Sequence, residues 1–174
     1  MRCLKLAVFT LILCLTLTSA AIGEDLGVTP LSPIAMTPDA EAQTLELYCG
    51  PTQGFHREEG QTLDTGKDYV VFGQYDCWAM AAQGTPEHFG PVGWVEAGSV
   101  ETLPYDPQLA FEDALVVTVE DESILTNDFE NAIVRLVPGT TLTLLAQYGD
   151  WGYVQAEFDD MLPIRAFIPM SAIL

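Results

Sequence analysis

Hydrophobic and polar residues alternate along most of this chain, in short runs that turn-forming residues separate. In the first half these runs are "TLELYC" (44–49), "DYVVFGQ" (68–74), "CWAMAA" (77–82) and "VGWV" (92–95). Alternation with a period of two predicts β-strands with one buried face. No segment keeps a helical period, and "EAGSV" (96–100) predicts only a single helical turn. The pattern therefore predicts an all-β fold.

The second half of the chain repeats the first at a constant spacing of 73 residues. Residues 72–100 align with residues 145–173 without a gap. The identical pairs are Leu63 and Leu136, Gly66 and Gly139, Gln74 and Gln147, Tyr75 and Tyr148, and Trp78 and Trp151. A repeat of this length predicts two copies of one small domain, over residues 43–102 and 114–174.

The strands of the second copy follow from the same pattern. They are "LVVTVE" (115–120), "IVRLVPGTTLTLLAQ" (133–147), "WGYVQAEF" (151–158) and "IRAFIP" (164–169). Pro138-Gly139 predicts a turn inside the second of these runs. "LVVTVE" is predicted to match "TLELYC" as the first strand, and "MSAIL" to match the helical turn. We expect loops over residues 50–64, 83–91 and 121–131, the last of them acidic.

The chain begins with the features of a secretion signal. Arg2 and Lys5 are followed by an apolar run over residues 6–17 and then by small residues up to Ala21. This order predicts a signal peptide over residues 1–21 that is cleaved. A membrane anchor is the alternative, but the run is shorter than the roughly 20 apolar residues that span a bilayer.

Two segments outside the repeats lack a hydrophobic period. Residues 22–42 contain three prolines among Thr, Ala and acidic residues, which predicts a flexible tether. Residues 103–113 contain Pro104 and Pro107 and are predicted to link the two domains.

The chain is strongly acidic, with 25 Asp and Glu residues against 6 Lys and Arg residues. Cleavage of the predicted signal leaves four basic residues, which are Arg57, Lys67, Arg135 and Arg165. Phosphate binding needs clustered basic residues, so nucleic acid is excluded as a partner, and docking on anionic membranes is disfavoured. Neutral, cationic or amine-bearing partners remain. The alternative is that the charge only keeps an exported protein soluble.

Two cysteines, Cys49 and Cys77, remain after the predicted signal, which contains Cys3 and Cys14. An even number of cysteines in an exported protein predicts a disulfide between Cys49 and Cys77. A metal-binding pair or a reactive thiol is the alternative. Both cysteines lie in the first copy, so the second copy is predicted to fold without a bridge.

The repeated motifs resemble tandem bacterial SH3-like (SH3b) domains. The residues that carry the resemblance are "LVPGTTLTLLAQYGDWGYVQ" (136–155) and "RAFIPMSAIL" (165–174), with Trp78 and "GWV" (93–95) in the first copy. The first copy lacks the Pro of the "PG" turn, and the second lacks the Gly before Phe167. The resemblance implies two small five-stranded barrels and a binding role. Secreted bacterial members often accompany a cell-wall hydrolase domain, and some bind wall peptides.

Aromatic residues near the start of the third strand of each copy are the candidate ligand-binding residues. Strand alternation puts Trp151 and Tyr153 on one face and Val154 on the other, and in the first copy it puts Trp78 and Met80 opposite Ala79 and Ala81. If Val154 faces the core, these rings lie on the outer face, where flat rings suit extended peptides or sugars. The alternative is that they pack between the two copies. The full candidate set is Tyr75, Trp78, Trp94, Tyr148, Trp151 and Tyr153.

The residues offer little support for catalysis or for a metal site. His56 and His88 lie in separate loops and have no counterparts in the second copy. The acidic runs near Asp121 and Asp160 lack the spacing of an EF-hand, which favours solvated loops over a calcium site. No phosphate loop or nucleophile motif occurs. We therefore expect no cofactor, no metal and no catalytic residue.

Two functional hypotheses follow. The first is a secreted, non-catalytic binding module that recognises a cell-wall peptide or an extended protein segment. The second is an extracellular structural or accessory subunit that binds a partner protein through its aromatic face. The sequence does not indicate an oligomeric state.

Overall fold

The computed structural model describes residues 27–101 and 108–173, which form an all-β fold, as predicted. In chain order the strands of these residues are β1 (Thr29–Pro30), β2 (Ile34–Met36), β3 (Thr44–Glu46), β4 (Thr62–Asp64), β5 (Tyr69–Tyr75), β6 (Trp78–Thr85), β7 (His88–Glu96), β8 (Leu115–Thr118), β9 (Ser123–Leu125), β10 (Val134–Leu136), β11 (Thr141–Tyr148), β12 (Trp151–Phe158) and β13 (Met161–Pro169). The two predicted helical turns are 3-10 turns at Ala97–Ser99 and Met170–Ala172. Within the described ranges no helix has the length and apolar character needed to cross a bilayer. The predicted signal, residues 1–21, lies outside them.

The strands form two main sheets and two separate hairpins. In repeat 1, which comprises β2 to β7, the sheet order is β2-β5-β6-β7 and β3 pairs with β4. In repeat 2, which comprises β8 to β13, β11, β12 and β13 form a meander, β8 pairs with β11, and β9 pairs with β10. Among the described residues these sheets do not close into a barrel.

The alternation within β6 sorts its side chains onto two faces, as predicted. Ala79 and Ala81 pack into the core of repeat 1, together with Leu63. Trp78 and Met80 point to the opposite face. Both faces of the strand are therefore buried, although a strand at the surface of a small domain normally has one solvated face.

The second buried face belongs to a hydrophobic layer that the two repeats share. We call this set of side chains the shared layer, and its buried members are Leu31, Val70, Phe72, Trp78, Met80, Ala82, Val92, Trp94, Leu109, Phe111, Leu145, Ala146, Tyr153 and Phe167. Repeat 2 has its own core around Leu125, Val154 and Ile168. The repeats thus pack face to face through the surfaces that carry most of their aromatic rings.

Two short arms cross between the repeats. The first arm, residues 27–31, runs parallel to β11 of repeat 2, and the Leu31 amide donates to the Gln147 carbonyl at 2.8 Å. The second arm, residues 108–111, runs along β5 of repeat 1, and the Leu109 amide donates to the Gln74 carbonyl at 2.7 Å. Gln74 and Gln147 are an aligned pair, so the two arms make equivalent contacts. The arm before repeat 1 pairs with repeat 2, and the arm before repeat 2 pairs with repeat 1.

These arms correct two predictions about connecting segments. Residues 29–36, predicted to belong to a flexible tether, form β1 and β2 and pair with both repeats. Residues 108–111, predicted to belong to a linker, bury Leu109 and Phe111 in the shared layer. Prolines and a missing period hid both segments, because each strand is too short to show an alternation.

The register of the first strands also differs from the prediction. Met36 of β2 pairs with Tyr69, as Val117 of β8 pairs with Leu142, so β2 is the counterpart of β8. "TLELYC" instead contains β3, the counterpart of β9, which lies inside the predicted acidic loop. The predicted loop over residues 83–91 is the tip of the β6–β7 hairpin.

The predicted disulfide is absent, because Cys49 and Cys77 are both free thiols. Cys49 is buried among the core residues of repeat 2, and Cys77 is exposed in the turn between β5 and β6. Burial, followed by the nearby Glu58 carboxylate, raises the pKa of the Cys49 thiol to about 12. The two side chains therefore lie in different environments, and the first copy is held by packing rather than by a disulfide.

Candidate functional site

Three of the six candidate residues, Trp78, Trp94 and Tyr153, lie inside the shared layer, and Trp94 and Tyr153 are the most deeply buried of them. Trp94 has 0% of its surface exposed and Tyr153 has 2%. Burial raises the pKa of the Tyr153 phenol. Both rings project outward from their own repeat, but the other repeat covers them. Their predicted ligand-binding role is therefore corrected, and the alternative of packing between the copies holds for them.

Tyr75 lies at one edge of the interface between the repeats, beside an unusual cation. Its ring stacks on Phe111 at 6.2 Å between centroids and lies 5.7 Å from the guanidinium of Arg165. That guanidinium also faces Phe55 and Phe111, each at 5.3 Å, and burial lowers its pKa. Arg165 Nε donates to Gln155 at 2.9 Å, while Nη1 is buried and has no hydrogen-bond partner among the described residues. Cation–π contacts between the two repeats make this corner a packing site.

Tyr148 and Trp151 are half-buried, and one ring of their own repeat covers them. Phe129, from the β9–β10 hairpin, lies 5.2 Å from Trp151 and 5.8 Å from Tyr148. Phe129 therefore packs against Trp151 in an edge-to-face arrangement, and Trp151 remains more exposed than its counterpart Trp78, which is 8% exposed.

Trp78, the counterpart of Trp151, is 8% exposed and lines an open groove of about 220 Å³ in repeat 1. Its neighbour Tyr48 meets it edge to face, with 5.4 Å between centroids. The β3 strand forms one wall of the groove, and residues Glu96 and Ser99, at the 3-10 turn, form the other. We call this site the Trp78 groove.

The Trp78 groove is acidic as well as aromatic. Glu46 and Glu96 both line it, and both side chains are exposed. Glu46 forms an ion pair with Arg57, whereas Glu96 forms none with any described residue. Carboxylates and the faces of aromatic rings both attract positive charge, so this combination favours a cation.

A second, more open groove of about 470 Å³ lies where the repeats meet. Phe89 of repeat 1 contributes one ring, and Phe129 and Tyr148 of repeat 2 contribute two. Their ring centroids are 5.7 to 5.9 Å apart, so the three rings pack on one another instead of surrounding a cavity. We call these three rings the platform between the repeats. Glu87 and His88 stand at its edge.

The sequence interpretation missed the polar half of the Trp78 groove. Tyr48, Glu46 and Glu96 were not among the candidates, although Tyr48 and Glu46 occupy the face of "TLELYC" opposite Leu47. That alternation could have identified them, since the outward residues of a strand beside a predicted Trp are natural groove residues. Glu96 and Ser99 carried no separate signal.

The described residues contain no cluster of His, Cys, Asp and Glu side chains that could hold a metal ion. His56 contacts Glu58 at 3.2 Å. In the acidic loop, Asp128 accepts hydrogen bonds from the amides of Glu130 and Asn131, at 3.0 and 2.7 Å. Burial alone would raise the pKa of Asp128. The hydrogen bonds from Asn131, Glu130 and Thr126 together lower this pKa by more than burial raises it, so it lies below the ordinary value. This carboxylate organises its own loop.

Comparisons with protein-family models, with curated proteins and with solved structures give no significant match to this chain.

Proposed function

We propose that this protein is a secreted, non-catalytic binding module that recognises an extended, positively charged peptide segment in its Trp78 groove. Such segments include peptides with free amines, among them cell-wall peptides, and basic segments of proteins. The ligand lays an apolar residue against Trp78 and Tyr48 and directs a cationic group to Glu46 and Glu96.

The observation that carries the proposal is the lining of the groove, where Trp78 and Tyr48 lie together with the two exposed carboxylates Glu46 and Glu96. At the equivalent position of repeat 2, Trp151 instead contacts Phe129, at 5.2 Å between ring centroids. Repeat 1 therefore offers an aromatic and acidic recess. The strongly acidic composition supports the same ligand charge, because it attracts cationic partners from a distance.

The finer fold assignment is part of the proposal: each repeat is an SH3-like domain. The support is the order of elements. In both repeats a hairpin stands between the first strand and a three-stranded meander, and a 3-10 turn follows the meander. The last described residues also pair with the beginning of repeat 2, through a bridge between Val119 and Ile173.

An array of immobilised peptides tests the proposed function. The chain without residues 1–21 is applied to extended peptides that carry Lys, Arg or acetyl-lysine at one position. We expect binding to the charged peptides and a loss of binding in Glu96→Gln. Glu122→Gln is the matched control, because Glu122 is an exposed carboxylate of repeat 2. Equal binding to the acetylated peptides, or turnover of a wall substrate by the chain, would contradict the proposal.

A second candidate function is favoured by the platform between the repeats. Phe89, Phe129 and Tyr148 are partly exposed and contiguous, and contiguous aromatic rings mark protein-binding surfaces. The chain would then be an accessory subunit that docks on a partner protein. Phe129→Ser would abolish partner binding in this case and leave binding in the Trp78 groove intact.

A further inference from the structure

One carboxylate of the Trp78 groove, Glu46, forms an ion pair with Arg57 of the same hairpin. Arg57 follows the tip of the β3–β4 connection, and its guanidinium Nη1 binds Oε2 of Glu46. Glu46 lines the groove, while Arg57 stands outside it. In the described part of the chain, Arg57 is the basic residue paired with a carboxylate of this groove.

The loop that carries Arg57 is fixed by its neighbour. The His56 amide donates to the Pro163 carbonyl of repeat 2 at 3.0 Å, and the His56 carbonyl accepts from the Cys49 amide at 2.8 Å. These bonds hold the backbone beside Arg57 against β13 and against Cys49, three residues after the end of β3. The guanidinium is therefore presented to Glu46 by an anchored backbone, which gives it a high local concentration at that carboxylate.

The ion pair itself is weakly held. The side chains of Arg57 and Glu46 are 42% and 58% exposed, so water screens their attraction. Pairs of this kind contribute little to stability and exchange readily. A ligand cation that also contacts Trp78 and Tyr48 has additional interactions that Arg57 lacks, and it can take the carboxylate from Arg57.

We infer that Arg57 is an internal competitor for the cation of the ligand at Glu46, and that it sets the affinity and charge selectivity of the Trp78 groove. This inference rests on the proposed function. Without ligand, Arg57 neutralises one of the two groove carboxylates. On binding, the ligand cation pairs with Glu46 and Arg57 turns to solvent. Ligands with a single weak charge gain little from this exchange, whereas a guanidinium that can bind a carboxylate through two N–H groups gains more.

Isothermal titration of the chain without residues 1–21 with N-acetylated tetra-arginine amide tests the inference, with N-acetylated tetra-citrulline amide as the neutral probe. We expect Arg57→Gln to tighten tetra-arginine binding by about two- to fivefold, which is the range of an exposed pair. Arg135→Gln is the matched control, because Arg135 is an exposed cation of repeat 2 and its loss changes the net charge equally. We expect a smaller gain from it.

A double-mutant comparison assigns the effect to Glu46. In the Glu46→Gln background, Arg57→Gln should give no more gain than Arg135→Gln, because the carboxylate for which the two cations compete is gone. Glu46, Arg57, Glu96 and Arg135 are all exposed, and equal urea midpoints establish that the variants are folded.

The outcomes separate the inference from the function on which it rests. If Glu96→Gln weakens binding but Arg57→Gln matches Arg135→Gln or weakens binding, the competitor role is overturned and the groove remains the site. If neither Glu46→Gln nor Glu96→Gln alters binding, or tetra-citrulline binds as well as tetra-arginine, both the groove and the competitor role are overturned.

Discussion

The indole Nε1 of Trp94 donates a hydrogen bond to the hydroxyl of Tyr153 at 2.7 Å, and the two residues belong to different repeats. The bond lies in the middle of the shared layer, where water cannot replace either partner. A buried polar group that has a partner is tolerated, whereas one that loses its partner destabilises the fold. This bond therefore makes the pairing of the repeats specific as well as hydrophobic.

Tyr153→Phe should lower the free energy of unfolding by about 1–3 kcal/mol, because it leaves the Trp94 N–H buried without an acceptor. Urea denaturation followed by fluorescence measures the change. Tyr148→Phe is the matched control, since Tyr148 is half-buried and we expect less than about 0.5 kcal/mol from it. Equal losses in the two variants would contradict a special role for the Trp94–Tyr153 bond.

Phe111→Ala should destabilise both repeats together. Phe111 belongs to the second arm and contacts Trp94, Tyr153 and Tyr75, at 6.2 to 6.5 Å between centroids. Loss of a buried Phe costs about 3–5 kcal/mol. Hydrogen exchange should rise in β5 and in β13. Phe158→Ala, at the edge of the repeat 2 core, should raise exchange in repeat 2 alone. Faster exchange confined to one repeat in Phe111→Ala would show that the repeats are independent.

Gly93→Ala should destabilise repeat 1 by about 1–3 kcal/mol, which is typical of overpacking. An added Cβ would lie 2.7 Å from Cβ of Leu47 and 3.2 Å from the Tyr48 carbonyl oxygen, and neither atom is the end of a flexible chain. Gly98→Ala is the control, because its Cβ would meet nothing within 4 Å. Thermal melts compare the two. A melting temperature for Gly93→Ala that matches wild type would contradict this close approach.

The residues that were predicted correctly are those whose local pattern decides their environment. Ala79 and Ala81 alternate with Trp78 and Met80 in the sequence, and the structure sorts them as the alternation requires. The turn residues Pro138-Gly139 separate β10 from β11 as expected. Local chemistry was sufficient at these positions.

The predictions that failed depend on contacts between the repeats. Trp94 and Tyr153 project outward from their own repeat, and the sequence contains no sign that another repeat covers them. Leu31 follows a pairing of two residues and Leu109 follows a single bridge at Gln108, and both pairings are too short for a period. Such contacts arise from the packing of distant segments, so neither periodicity nor turn signals could reveal them.

Cys49 and Cys77 should differ sharply in reactivity. Burial raises the pKa of Cys49 to about 12, so almost none of it is thiolate near neutral pH. With the chain without residues 1–21, iodoacetamide at pH 8 should modify Cys77 rapidly and Cys49 at least about 100-fold more slowly. Cys77→Ser should remove the rapid phase, and urea should expose the slow thiol. Failure to detect free thiols in the unreduced, unfolded protein would instead support the disulfide.

Asp128→Ala should lower the free energy of unfolding by about 1–2 kcal/mol at pH 7, because the loop loses its hydrogen-bond acceptor. The folded-state pKa of Asp128 is lower than its ordinary value of 3.8. Its stabilising effect is therefore present above pH 3.8 and is lost as the pH falls through the folded-state pKa. Urea midpoints of wild type and variant should converge in acid. Asp121→Ala, at an exposed carboxylate of the same loop region, should have little effect at either pH.

Covalent joining of two repeats that exchange arms allows their surfaces to differ, which a symmetric assembly does not. A homodimer of one repeat could exchange arms and bury the same faces, but its two subunits would carry identical side chains and would separate on dilution. Covalent joining keeps the two halves together at any concentration. It also allows one half to hold Phe129 against Trp151 while the other leaves Trp78 beside an open groove. The two halves can thus carry different surfaces on one framework.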